Sequence, residues 1–247
     1  MDLGQIALVL FAVAVGQFAK GLTGIGGPMF AIPVLASFMG VEYAVAVIAI
    51  PSLVGNVWLV WENRRAAGIV RRFLVPMLAT GCIGVGFGVW FLVSFDDRVL
   101  SLILALVVLV YIVVYLTRPT FHLGEKAALR LAAPVGFLAG GMHGATGISA
   151  PVVATYTHSL DLPRAAFVFA VTLPFGVLGA AQMVSLVFVD AYDAERLLAG
   201  LIAVIPVLVV LPIAMRLGDR LSHRAFQLVV LAVLGAAALR LLWTVFA

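Results

Sequence analysis

Charge is scarce in this chain: only 11% of its 247 residues are Asp, Glu, Lys or Arg, against about a quarter in an ordinary soluble domain. So few charges cannot solvate a globular surface, and a soluble class is excluded. Cysteine is almost absent as well. The single Cys82 sits in an apolar run, has no partner for an internal disulfide, and reads as a small packing residue without redox meaning. Acidic groups are missing from every apolar segment. All eleven Asp and Glu residues stand at segment ends or in loops: Asp2, Glu42, Glu62, Asp96, Asp97, Glu125, Asp161, Asp190, Asp193, Glu195 and Asp219. No carboxylate is left in the interior to relay protons. The opening MDLGQIALVL carries Asp2 and no basic stretch, which argues against a cleaved signal peptide.

Apolar residues fill the space that charge leaves. They make up 64% of the chain, and the mean hydropathy is +1.22. The runs are continuous rather than alternating, so an all-α polytopic membrane protein is expected and a β-barrel is not. The isoelectric point near 9.6 does not indicate nucleic acid, because the arginines lie in short loops between apolar runs, where the positive-inside rule accounts for them.

Ten apolar segments can be drawn, at 3–19, 28–39, 43–61, 73–94, 99–117, 127–142, 150–160, 165–189, 197–215 and 225–245. Two of them, 28–39 and 150–160, are too short for a hydrocarbon core that needs about 20 helical residues. These two belong to a repeat. A shift of 123 positions lays GLTGIGGPMFA (21–31) on GATGISAPVVA (144–154), matching Gly21 to Gly144, Thr23 to Thr146, Gly24 to Gly147, Ile25 to Ile148 and Pro28 to Pro151, and then Pro51 to Pro174 without a gap. The chain therefore divides into an N-terminal repeat, 1–117, a polar linker, 118–126, and a C-terminal repeat, 127–247, within one membrane domain. Each half holds five segments, an odd number, so the second half enters from the opposite side: two inverted-topology repeats, each with a short re-entrant or broken helix at a Gly-rich break. Loop charges sort accordingly. Arg64, Arg65, Arg71, Arg72, Arg118, Lys126, Arg130, Arg164, Arg216, Arg220 and Arg224 fall on one side, and Arg98 and Arg196 with Asp96, Asp97, Asp190, Asp193 and Glu195 on the other. The arginine-rich side is expected to be cytoplasmic, with both termini outside.

Each break joins glycines to a proline suited to the first turn of a helix. A helix start leaves backbone N–H groups unpaired and carries about half a positive charge, so inside a membrane protein it must meet something electron-rich. Two such starts converging near the midplane make a site for an anion. The candidate binding residues are Thr23, Gly24, Ile25, Gly26 and Gly27 in the first copy, and Thr146, Gly147, Ile148, Ser149 and Ala150 in the second. Lys20 and its repeat mate His143 precede the breaks and would balance charge, unless Lys20 snorkels to an interface and His143 merely packs. The threonines can add hydroxyl donors. Gln17, Asn56 and Gln182 are the amides expected to line a pathway, and Thr155, Tyr156, His158 and Thr172 are further polar residues inside apolar segments. Pro51 and Pro174 would bend helices around the site. Gly81, Gly84 and Gly88, lacking polar companions, fit close helix packing instead.

Soluble chemistry finds little support. TGIGG has neither the phosphate-loop nor the dinucleotide-loop pattern, and His143 and His158 have no acidic or cysteine companions for a metal, so neither cofactor nor metal is expected. Ser149 in GISAP superficially resembles an intramembrane protease nucleophile, but it corresponds to Gly26 in the other half and no histidine can be assigned as its base from sequence. An enzyme is not expected.

GLTGIGGPMFAIPVL together with GATGISAPVVATYTHSL resembles the sulfite exporter TauE/SafE family, the TSUP permeases, over nearly the full length. The second copy departs from the fuller glycine pattern at Ser149 and Ala150. The resemblance implies transport of sulfite, organosulfonates or related sulfur-containing anions across a bacterial inner membrane; the alternatives are a permease for another carboxylate or inorganic anion and a non-transporting scaffold. The partners implied are a small anion and the lipid bilayer, not nucleic acid, with self-association left open. An inside-negative potential drives anionic charge outward by about 2.3 kcal/mol per 100 mV. Uncoupled or weakly coupled export is therefore expected, with His143 the obvious titratable candidate for any proton coupling.

Overall fold

The computed structural model describes residues 2–117, 122–217 and 223–246, with side chains in the last stretch described from Val230 onward. Arg118, Asp219, Arg220 and the linker positions 119–121 lie outside the described residues, as does the side chain of Arg224. The described residues form helices and no strand: α1 Leu3–Thr23, α2 Gly27–Met39, α3 Val41–Asn63, a short 3-10 turn Arg64–Ala66, α4 Ala67–Ser94, α5 Asp97–Thr117, α6 Glu125–Thr146, α7 Ala150–His158, α8 Arg164–Phe188, α9 Ala194–Ile202, α10 Val204–Leu217 and α11 His223–Phe246. Among the described residues, five stretches are long and apolar enough to cross a membrane: Leu3–Thr23, Val41–Ser94, Asp97–Thr117, Arg164–Phe188 and Ala194–Leu217. The chain has an all-α polytopic membrane fold. Its bounds differ from the expected segments in two ways. The first and sixth segments run on as helix through Lys20–Thr23 and His143–Thr146, placing both cationic positions in a last helical turn. The ninth is interrupted at Ala203; Pro206 has no N–H to offer the carbonyl of Ile202, which weakens the ladder there.

The short helices turn back along the helices before them. Leu123 N–H donates to the Ser159 carbonyl at 3.0 Å, and the Tyr156 hydroxyl donates to the Ala128 carbonyl at 2.9 Å. The end of α7 thus returns to the start of α6. In the first copy Gly27, at the start of α2, lies against Gly16 of α1, and Gly26 lies against Ala19.

Polar contacts mark two ends of the bundle. At the first, Asp97 accepts from Val41 N–H at 2.8 Å, Arg196 pairs with Glu42 at 2.6 Å, and the Tyr192 hydroxyl donates to the Ala46 carbonyl at 3.2 Å. This acidic end therefore gathers the α2–α3, α4–α5 and α8–α9 connections. At the other, Arg72 pairs with Glu125 beside the Leu123–Ser159 contact, so the starts of α4 and α6 meet at an arginine-rich end.

Between the ends, helices approach as closely as missing side chains permit. α4 packs against α6, α1 against α10, α3 against α8 and α5 against α11. A methyl group on Gly84 would overlap the Phe137 carbonyl, one on Gly140 the Gly81 carbonyl, and one on Gly144 the Val85 carbonyl. Without a hydrophobic driving force between helices in lipid, such small-residue contact supplies the attraction. Gly21, the repeat mate of Gly144, makes the corresponding approach to Ala214 and the Leu211 carbonyl of α10.

Gly140→Ala should therefore cost about 1–3 kcal/mol through overpacking and lower the melting temperature in detergent. Gly86→Ala, on the same α4 but with no atom within 4 Å of the added carbon, should leave it unchanged.

Candidate anion site between two helix breaks

Both breaks are built the same way. α1 ends at Gly24 with φ 79°, whose N–H donates to the Lys20 carbonyl at 2.7 Å; α6 ends at Gly147 with φ 70°, whose N–H donates to the His143 carbonyl at 2.7 Å. Left-handed backbone of this kind favours glycine. A threonine then brackets each turn. Thr23 Oγ1 lies 3.0 Å from the Ala19 carbonyl and 2.6 Å from the Ile25 carbonyl, and accepts from Ile25 N–H at 3.1 Å. Thr146 Oγ1 repeats this with the carbonyls of Met142 and Ile148 and with Ile148 N–H. One hydroxyl proton serves two carbonyls of its own break, so neither threonine has a donor to spare. Their place is in the scaffold of the break.

The copies differ one step later. Gly26 has φ 137° and its α-carbon faces Ala19, a conformation that L side chains rarely adopt. Ser149, its mate, has φ −122°, open to any residue, which explains why the second copy dispenses with glycine there.

α2 and α7 then begin without a side-chain cap, each with proline in the first turn. Pro28 and Pro151 have no N–H, so each start presents fewer donors than the usual four. Lys20, Gly26, Gly27, Pro28, Met29, Ser52, His143, Gly147, Ile148, Ser149, Ala150 and Phe175 enclose one cavity, with about 20 Å³ of room for the centre of a water molecule. The two breaks face each other across it. That room suits a water or one small ion and excludes an extended molecule.

Lys20 is 1% exposed and donates from Nζ to Asn56 Oδ1 at 2.5 Å; Asn56 Nδ2 in turn donates to Ser52 Oγ at 3.3 Å. The lysine reaches across to α3 instead of outward, so the snorkelling alternative is corrected. No carboxylate among the described residues is buried. On the other wall, His143 is 4% exposed with Nδ1 3.1 Å from Ser149 Oγ. Gly179 of α8 leaves space for the ring, and Gln182 donates to the carbonyls of His143 at 2.6 Å and Gly144 at 3.2 Å. A histidine therefore does reach Ser149, a contact that could not be assigned from the sequence. Hydrolytic chemistry would also need a third group to orient the imidazole, and no carboxylate among the described residues is buried to provide one.

The remaining candidates take other places. Gln17 is wedged between Gly27 of α2 and Gly55 of α3, with Oε1 buried and unpartnered. Asn56 accepts from Lys20 and Gln182 donates to the carbonyls of the His143 turn, and neither lines this cavity. Gly24 packs beside Val168, and Ile25 with Thr23 lines a second cavity. Tyr156 and Thr172 bond to carbonyls, and His158 lies on Phe167. Ser52 and Phe175 were missed. They follow the paired prolines Pro51 and Pro174 and are themselves mates at the same shift of 123, a signal already present in the sequence.

The model of the family described as Sulfite exporter TauE/SafE matches residues 8–241. The chain belongs to this family. The permease is thus a membrane transporter and not an enzyme. No curated protein and no solved structure matches it. The match spans both breaks and every residue of the cavity between them.

In this permease Thr146→Val should loosen the second break and cost about 1 kcal/mol, read as a lower melting temperature. Thr146→Ser should restore it. Anion affinity per folded molecule should change little in either variant, since the hydroxyl is committed to Met142 and Ile148.

Proposed function

We propose that the permease exports a small sulfur-containing anion such as sulfite or a short organosulfonate, bound near the bilayer midplane between the starts of α2 and α7. The observation that carries this reading is Lys20: an ammonium buried with no countercharge among the described residues, beside two uncapped helix starts. Such a residue costs about 2.5–3.5 kcal/mol on insertion scales. An anion entering the cavity would offset that cost, and the positive ends of the two helices would add to the attraction. His143 and Ser149 offer ring and hydroxyl contacts on the opposite wall. Roles for Gln17, Asn56 and Gln182 follow from what they hold in place.

The repeat supports alternating access. Exchanging the halves carries α1–α10 packing onto α6–α4, α2–α11 onto α7–α5, and α3–α8 onto itself, the pattern of an inverted repeat about one axis. With the arginine-rich end cytoplasmic by the positive-inside rule, an inner-membrane location and outward anion flux follow. The absence of a buried carboxylate among the described residues favours export driven by the membrane potential alone. The scaffold alternative finds no support in a family of transporters. A permease for another inorganic anion or a carboxylate remains the second reading, and the small cavity favours ions of a few atoms.

Lys20→Gln tests the site. The amide retains a donor for Asn56 and removes the charge, so sulfite affinity should fall at least tenfold by calorimetry while the anion-free protein melts higher than the wild type. Unchanged affinity would remove Lys20 from the site. In proteoliposomes, sulfite efflux by the wild type should rise with an inside-negative potential and need no proton or sodium gradient; obligatory co-movement of either ion would overturn uncoupled export.

A further inference from the structure

A second cavity adjoins the first. It offers about 30 Å³ of room for a water centre and is lined by Ala19, Thr23, Ile25, Gly26, Met29, Phe30, Tyr111, Tyr115, Val230, Leu231 and Leu234. Gly26 and Met29 line both cavities, so the first break itself is the wall between them. Its position follows from the helices. α5 leaves the acidic end at Asp97, so Tyr115 lies near its arginine-rich end; α11 starts from that same end, and Val230 and Leu234 lie in its first half. The second cavity therefore extends from the anion site toward the arginine-rich end.

Its polar lining is unexpected in such an apolar wall. α5 has a mean hydropathy of 3.1, the highest of the five candidate spans. Tyr111 and Tyr115, one turn apart with ring centroids 6.1 Å from each other, nevertheless place two phenols beside the Thr23 side chain. An interfacial belt accounts for Tyr115 near the helix end, but not for Tyr111 a full turn deeper. The corresponding region of the second copy is packed shut. Thr146, Ile148 and Ser149 are each 1% exposed and Val153 is 0%, and α7 leans on α5, whose Leu104 and Val108 are 0% exposed. Thr23 and Ile25, by contrast, are only half-buried.

We propose that the cavity lined by Tyr111 and Tyr115 is the anion's route between the site and the arginine-rich end, with Met29 as its inner barrier. The inference rests on the transport reading. It adds the path, the residues that line it and the state: the structure faces the arginine-rich end, with the opposite route closed by packing around the second break. Phenol hydroxyls suit a way station because they donate to an anion without holding it by charge.

Thiol accessibility tests this in a Cys82→Ala background, Cys82 being exposed and lining neither cavity. Tyr115→Cys, Leu231→Cys and Met29→Cys would be treated with a membrane-impermeant methanethiosulfonate bearing a sulfonate, in vesicles of each orientation. Gly124→Cys, in an open loop, marks the arginine-rich end. Tyr115→Cys and Leu231→Cys should label from that end only, Met29→Cys more slowly, and sulfite should slow Met29→Cys at least threefold. Val110→Cys on the outer face of α5, 52% exposed, should resist from both sides. If Tyr115→Cys and Leu231→Cys resist as Val110→Cys does, or label only from the acidic end, the route is wrong. Met29→Ala provides a second measure, with sulfite flux faster than the wild type; unaltered flux would remove Met29 as the barrier. Sulfite flux by the wild type in the same vesicles separates the two ideas: flux without labelling sinks the route alone, whereas absent flux sinks the transport reading and the route with it.

Discussion

A helix can be broken inside a membrane protein only if the backbone groups it frees find partners, because lipid offers none. That constraint shapes both halves of this permease. Gly24 and Gly147 turn the chain back in left-handed conformations, and Thr23 and Thr146 take up the loose carbonyls and N–H groups of the turn. What each turn leaves unfilled is the start of the next helix, uncapped and shortened of one donor by proline. Everything proposed for the site follows from having two such starts at one cavity.

Lys20 presents the same economy from the side of charge. An ammonium in the last turn of α1 is favoured by the negative end of that helix, and Asn56 satisfies one of its protons. Neither supplies a full counterion. The structure thus contains a standing electrostatic deficit at a small cavity, and a mobile anion is the simplest species able to meet it. A fixed carboxylate there would pair with the lysine permanently and close the site to substrate.

The two copies are not equivalent, and their difference is physical. Gly26 is held at φ 137°, whereas Ser149 sits at −122° with its hydroxyl beside His143. One wall therefore carries the Lys20 amine beside a glycine turn that no side chain can stiffen. The other carries a neutral-capable ring braced by a hydroxyl and by Gln182. Packing follows the same division, loose behind the first break and tight behind the second, as a carrier caught facing one side would show.

Much of this was legible in the sequence, because glycine, proline and threonine act through local backbone geometry. The shift that pairs Thr23 with Thr146 and Pro28 with Pro151 located both breaks, and the same shift extended to Ser52 and Phe175 would have found the cavity's other walls. The role of the threonines was not legible, since a hydroxyl's partner depends on how tightly the turn closes. Nor was the Ser149–His143 contact, six residues apart across a break whose angle no propensity fixes. The sequence by itself determined the apolar helices, the breaks and the want of interior acid, all consequences of composition and short-range sterics. Only the tertiary structure decided that Lys20 reaches Asn56 thirty-six residues away, and that the two breaks share one cavity with a second cavity behind the first. Those outcomes depend on how glycine-lined helices settle against one another, a matter of long-range packing that no local pattern encodes.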